Sequence, residues 1–202
     1  EVPRLAPSIS FRPMLPFVAV GVPVAALVAT AGFVFRPSSD PRLHVTILDV
    51  GQGDAAVVEF PGSHVMVIDG GGFASRTFDS GEAIIAPFLW DRKIGRIDTL
   101  VMSHPQLDHY GGLDFLAQHF GPSEFWTSGE ETDSQQFQQL KHTLGHAGVS
   151  VRAVCRDSPP IDQSRVHIVI LHPPCPNSED ADLDTNNASL VLRLSHGEVD
   201  FL

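Results

Sequence analysis

The chain has 202 residues, 43% of them apolar, and a formal net charge of −11. The apolar share argues against wholesale disorder, and the length suits one domain of roughly 150 residues plus an extra segment. The acidity argues against a protein that grips DNA mainly through its phosphates, because such proteins are basic; a bound dication could still make one site locally positive.

The chain opens on Glu1 and closes on Val199–Leu202, which reads as a strand cut in mid-run. Both ends are therefore read as boundaries inside a longer polypeptide. Residues 1–13 are read as a loop. Residues 14–35, MLPFVAVGVPVAALVATAGFVF, carry no charge and are flanked by Arg12 and Arg36. A bilayer core takes about 20 such residues as a helix and tolerates interspersed proline and glycine. This predicts one transmembrane helix over 14–36. Two other readings compete: a secretory signal, whose small-x-small site Ala29-Thr30-Ala31 imitates, and a buried core helix. Arginines on both sides leave the orientation open. A proline-bounded linker over 37–42 leads to a soluble domain over 43–202, read as truncated at its C-terminus.

In the soluble part, LHVTILDV at 43–50, AAVVEF at 55–60 and HVMVI at 64–68 are β-rich runs closed by glycine turns. They predict an antiparallel meander. Ile84, Ile85, Phe88 and Leu89 then recur at helical spacing within 81–93, with Pro87 kinking or shortening that helix. Residues 97–102 read as a buried strand, 110–120 as a helix, Phe125-Trp126 as a short strand, 134–147 as a helix and 149–154 as extended. Val166–Leu171 and Ser189–Leu194 read as late strands. Strands, then alternating helix and strand, then strands again suit a layered α/β sandwich with helices outside. The only cysteines, Cys155 and Cys175, are read as unpaired, partly buried thiols, with pairing as the alternative in an oxidising compartment.

The chemistry concentrates in Ser103-His104-Pro105-Gln106-Leu107-Asp108-His109-Tyr110-Gly111-Gly112, which follows the apolar strand TLVM and precedes a helix. Polar residues at the end of a buried strand sit at a rim where ligands bind. Two imidazoles and a carboxylate so close together are natural ligands for zinc or a similar dication. His104 and His109 can approach one ion from different sides, while Asp108 faces a second ion or a bound water. In a hydrolase the ion lowers the pKa of its water to about 7 and polarises the scissile bond.

This segment resembles the metallo-β-lactamase motif His-x-His-x-Asp-His. The flanking runs narrow the resemblance to the ComEC family of DNA-uptake proteins. They are Leu48-Asp49-Val50-Gly51-Gln52-Gly53-Asp54-Ala55, Ile68-Asp69-Gly70-Gly71-Gly72, Ser103-His104-Pro105, Phe78-Asp79-x-Gly81 leading into Ala86-Pro87-Phe88-Leu89-Trp90, and Asn186-Asn187-Ala188-Ser189-Leu190-Val191-Leu192-Arg193-Leu194. The resemblance runs from about Leu43 onward. It implies an α/β fold, a metallo-β-lactamase-like αββα sandwich (incomplete here), behind one transmembrane helix. It implies a bacterial inner-membrane protein of natural transformation that meets DNA and other DNA-uptake proteins. It also implies a nuclease acting on the non-imported strand with one or two zinc or manganese ions.

Carried over residue by residue, His104, Asp108 and His109 match metal ligands, with Asp108 the catalytic candidate. Asp69 resembles an aspartate that supports the site, and capping its own turn is the competing role. Asp54 either orients the site or shapes its turn. Gln106 stands where the family carries histidine or aspartate, and an amide is a poor zinc ligand. It motivates a second hypothesis: a catalytically inert module with a structural or DNA-guiding role beside the channel. His172-Pro173-Pro174-Cys175 and the acidic run from Glu179 to Asp184 are read as loops, and Asn186-Asn187 as a strand-entry turn.

Overall fold

The computed structural model describes residues 40–73, 78–176 and 184–202. The predicted loop 1–13, the predicted membrane helix 14–36 and the first part of linker 37–42 lie outside these residues, as does nearly all of the acidic run. Among the described residues, no helix is long and apolar enough to cross a membrane.

Strands β1 (His44–Ile47), β2 (Ala56–Glu59) and β3 (Val65–Ile68) form the expected antiparallel meander. Next to β3, the strands β4 (Thr99–Val101), β5 (Glu124–Thr127) and β6 (Ser150–Ala153) are added in parallel. The result is one six-stranded sheet in sequential order. The parallel steps need crossovers, and helices supply them. A π-helical turn over Gly81–Ile85 runs into α1 (Ala86–Asp91) between β3 and β4. Pro87 sits where the two helix types join; it has no N–H for a carbonyl one turn earlier, so the hydrogen-bond ladder resets there. The one-turn α2 (Leu107–Tyr110) and α3 (Leu113–His119) connect β4 to β5, and α4 (Gln135–His146) connects β5 to β6. Ser134 caps α4 by accepting from the Phe137 N–H at 3.1 Å.

A second, four-stranded antiparallel sheet runs β10-β9-β8-β7. Its members are β7 (Ile161–Gln163), β8 (Val166–His172), β9 (Val191–His196) and β10 (Val199–Phe201). Strand β7 is absent from the sequence reading because Ile-Asp-Gln shows no apolar alternation.

The alternation of side chains along each central strand divides the core in two. Val57, Val65, Val67, Leu100 and Phe125 pack beneath the helices against Ile85, Leu89, Leu113, Leu116 and Leu140. Val58, Met66, Val101 and Trp126 face the second sheet and meet Ile168, Ile170, Leu192 and Leu194. The described residues thus form three layers, helix on sheet on sheet. At about 25 cal/mol per Å² of apolar surface, these two interfaces dominate the stability.

The cysteines correct the sequence reading. Cys155 and Cys175 form a disulfide with their Cα atoms 5.0 Å apart. Cys155 follows β6 in one sheet and Cys175 follows β8 in the other; the two strands end at the same edge of the sandwich.

Candidate metal centre

Strands β3 and β4 are parallel neighbours, with Ile68 opposite Val101. Their C-terminal ends therefore release Asp69 and Ser103 side by side. Asp69 is 3% exposed and adopts φ 57°, a left-handed conformation uncommon for a residue with a side chain. Its Oδ1 accepts from the Ser103 N–H at 2.7 Å and its Oδ2 from the Ser103 hydroxyl at 2.6 Å. The same Oδ2 lies 2.9 Å from His109 Nδ1. Asp69 is thus hydrogen-bonded into the site through its carboxylate, beyond any role in its own turn.

Ser103 opens the segment singled out in the sequence, but no role was assigned to it there. Its hydroxyl has one hydrogen, and a carboxylate can only accept, so that hydrogen goes to Asp69. The oxygen lies 3.0 Å from His104 Nδ1 and 3.3 Å from His109 Nδ1. It can therefore accept from His104 Nδ1–H, while Asp69 accepts from His109 Nδ1–H. That tautomer leaves the Nε2 lone pair of both rings free, as metal-ligating histidines require.

The predicted ligands come together in pairs. The rings of His104 and His109 have centroids 4.0 Å apart, and His109 Nε2 is 3.9 Å from Asp108 Oδ2. His104 is 6% exposed, whereas the Asp108 side chain is 46% exposed and faces solvent. Two nitrogens and one carboxylate oxygen are donor types that suit a borderline dication such as zinc. Among the described residues, no three His, Cys, Asp or Glu side chains close into a single metal-binding group.

The electrostatics separate the two histidines. Burial lowers the His104 pKa below 6.5, and the neighbouring His109 adds to this, against opposing effects of Gln106, Asp69 and Asp108. Burial also presses down on His109. There the hydrogen bond and charge of Asp69, with Asp108 and Asp54 behind them, win and raise the pKa above 6.5. Gln106 acts on the site through its side chain, which opposes the fall in the His104 pKa. Its backbone carbonyl also starts α2 by accepting from the His109 and Tyr110 N–H groups.

The glycine runs explain how these loops pack so closely. Gly70 N–H donates to the His109 carbonyl at 2.6 Å and Gly71 N–H to the Asp54 carbonyl at 2.9 Å. A Cβ on Gly53, which has φ 76°, would stand 1.6 Å from the Asp108 carbonyl oxygen. One on Gly72 would stand 2.0 Å from the Leu107 carbonyl oxygen. Any side chain at either place would push the loops away from α2. Asp54 itself is exposed and lends the site its backbone and its charge. Asn186 and Asn187 belong to a turn in which Asp184 accepts from the Asn187 N–H, as the strand-entry reading expected. That turn ends on Leu190, whose N–H donates to the Ser103 carbonyl at 2.8 Å.

A buried aspartate bonded to a histidine thus lies at the C-terminal ends of the parallel strands β3 and β4, with Asp108 and His109 on the helical turn that follows. Residues 48–169 match the Metallo-beta-lactamase superfamily, and the chain belongs to it. Among individual proteins, the chain is 27% identical over 170 residues to ComE operon protein 3 of Bacillus subtilis (strain 168), covering 78% of this chain and 21% of that protein. It is 30% identical over 122 residues to Competence protein ComA of Neisseria gonorrhoeae, covering 56% of this chain and 17% of that protein. The domain is ComEC-like, and the chain spans about a fifth of the length of these curated relatives. Among solved structures, a metallo-β-lactamase of Cronobacter sakazakii with a HARLDQ motif superposes with a TM-score of 0.47 at 14% identity, covering 84% of this chain and 58% of that one.

Proposed function

We propose that the chain is part of a membrane-held DNA-uptake protein, in which this domain is a metal-dependent hydrolase of DNA phosphodiesters that degrades the strand not imported. The observation that carries this reading is the pair of imidazoles oriented by Asp69 and Ser103, with the Asp108 carboxylate beside them. Likeness to a ComE operon protein and a competence protein supports competence as the setting, and DNA, the uptake partners and the bacterial inner membrane are part of this proposal. Residues 14–36 are the segment proposed to span the bilayer.

His104, Asp108 and His109 would hold zinc or manganese. Such an ion, when bound, supplies Lewis acidity that activates water and polarises the phosphoryl group. The protein's own residues do the rest. Asp69 fixes the His109 ring and keeps its proton on Nδ1. Ser103 relays the same carboxylate to His104. The half-exposed Asp108 can also take a proton from an attacking water at its carboxylate. Asp54 adds negative charge from the rim.

The test is a nuclease assay on the full chain with manganese or zinc, comparing wild type with Asp108→Ala. The reading expects loss of activity in the variant, and equal cleavage by both proteins overturns it. A second reading, an inert module with a structural or DNA-guiding role beside the channel, is favoured by Gln106, an amide and so a poor zinc ligand, where the family carries histidine or aspartate. Wild type that binds neither metal in equilibrium dialysis would favour that reading.

A further inference from the structure

Helix α4 ends on a pair of histidines that the candidate metal centre does not use. His142 and His146 stand four positions apart, so the helical period places them on one face, one turn apart. Their ring centroids are 4.3 Å apart and their planes are inclined at 50°. Both residues are exposed. They border a shallow groove between α3 and α4, lined also by Ala117, Gln118, Gln139 and Thr143.

Other surface histidines show what sets this pair apart. His119 Nδ1 lies 2.9 Å from the Phe115 carbonyl oxygen, and His167 Nδ1 lies 2.8 Å from Asp162 Oδ1. Among the described residues, neither His142 nor His146 makes a hydrogen bond or an ion pair, and each ring meets the other instead. Two imidazoles with uncommitted lone pairs, one helical turn apart, form a bidentate nitrogen donor set.

The surroundings favour a dication there. The pair occupies the end of α4, where the negative end of the helix dipole attracts positive charge. The adjacent cation, Lys141, is held by Glu131 at 2.6 Å. Gly145, between the two histidines, has no side chain, and a Cβ placed on it would meet nothing within 4 Å. The approach to the rings is open on that side. A pair of imidazoles selects late first-row ions over magnesium or calcium, and copper(II) stands highest in the order of affinity. We propose that His142 and His146 chelate one late first-row divalent ion, copper(II) most tightly, with water filling the remaining coordination positions. Once one imidazole holds the ion, the second binds it within the same molecule, which raises the affinity roughly a hundredfold over a single histidine. The site is separate from the centre at the end of β4 and requires neither hydrolysis nor DNA.

The test is equilibrium dialysis of the full chain against micromolar copper(II), comparing wild type with His142→Gln, His146→Gln and the double variant. Glutamine suits an exposed helix position, and melting curves without metal check that each variant is folded. Each single variant should lose one copper equivalent, its site binding about a hundredfold more weakly. The double variant should lose no more than either single one, because a chelate fails when either arm is removed. Nickel(II) should compete for the ion, whereas millimolar magnesium should not. The same loss should appear in an Asp108→Ala background, which separates this site from the candidate centre. The proposal is overturned if the single variants leave the copper count unchanged, or if magnesium displaces the ion. It is also overturned if the two losses add in the double variant, which would mean two independent histidines. Disappearance of the loss in the Asp108→Ala background would overturn it as well, by assigning that copper to the other centre.

Discussion

The two ends of the six-stranded sheet use the same residue types for different purposes. At the end where β1 begins and β2 ends, carboxylates meet guanidinium groups. Arg42 pairs with Asp40 at 2.8 Å and Arg92 with Glu59 at 3.1 Å. His44 shares Asp40 at 3.0 Å, and His64 lies 3.7 Å from Asp98. At the opposite end, the ion pairs of Asp69 and Asp108 are made with His109 alone. A carboxylate beside a guanidinium is already matched in charge and geometry. Carboxylates beside imidazoles leave excess negative charge and free nitrogen lone pairs, which a dication can satisfy. The comparison teaches that a His–Asp contact is uninformative alone; what else the carboxylate touches decides its meaning.

The largest expected break comes from glycine. Gly53→Ala should destabilise the domain by about 3 kcal/mol or more, because it adds left-handed backbone strain to a clash with the α2 backbone. Gly62, with φ 86° and nothing within 4 Å of the place a Cβ would occupy, is the matched control at the other end. Gly62→Ala should cost only about 1 kcal/mol. Urea unfolding of the two variants reads the difference, and equal midpoints would show that the loops are not interlocked as described.

The next effect is the disulfide, which lies at the site end and closes a separation of 20 residues. Replacing both Cys155 and Cys175 with Ala should cost about 3 kcal/mol in a thermal or denaturant melt. A melt insensitive to both the replacement and reductant would show that the cross-link does not form.

Asp69→Asn sharpens the comparison directly. It should cost about 2 kcal/mol by weakening the bonds to Ser103 and His109, and should lower zinc affinity by roughly 10- to 100-fold. Asp40→Asn at the exposed end should shift neither the unfolding midpoint nor the zinc titration. Equal responses of the two variants would erase the distinction drawn between the ends.

The smallest effect is at His64, which is lowered below 6.5 chiefly by burial, against the raising effects of Asp98 and Glu124. Thr99 Oγ1 also faces its ring at 3.3 Å. A depressed folded pKa means that the unfolded chain binds more protons. Stability should therefore be fullest above 6.5 and fall as pH drops through the lower folded value. His64→Gln should flatten this slope between about pH 7 and pH 5. An unchanged slope would assign the acid sensitivity to other groups.

Much of the site was legible because its chemistry is local in the chain. His104 lies near His109, and His109 near Asp108, because one strand end and one helical turn carry all three, and the strand period of β1 to β4 needs only short-range alternation. The glycine runs were recognisable as motifs, but their reason was not. Gly53 and Gly72 are small because of α2 carbonyls that lie far along the sequence. Ser103 stands in the Ser103-His104-Pro105 motif but carries no charge that announces a role, so only the parallel pairing of β3 with β4 reveals it between Asp69 and both histidines.

The amino-acid sequence by itself determined the layered α/β class, the meander, the helical crossovers and the residue types gathered at the end of β4, since these follow from periodicity and residue chemistry over a few positions. Tertiary structure alone decided that Asp69 orients His109 and that Cys155 meets Cys175 across two sheets. Each of those depends on the distance between residues remote in the chain, and that distance is set by how the sheets and helices bury their apolar faces.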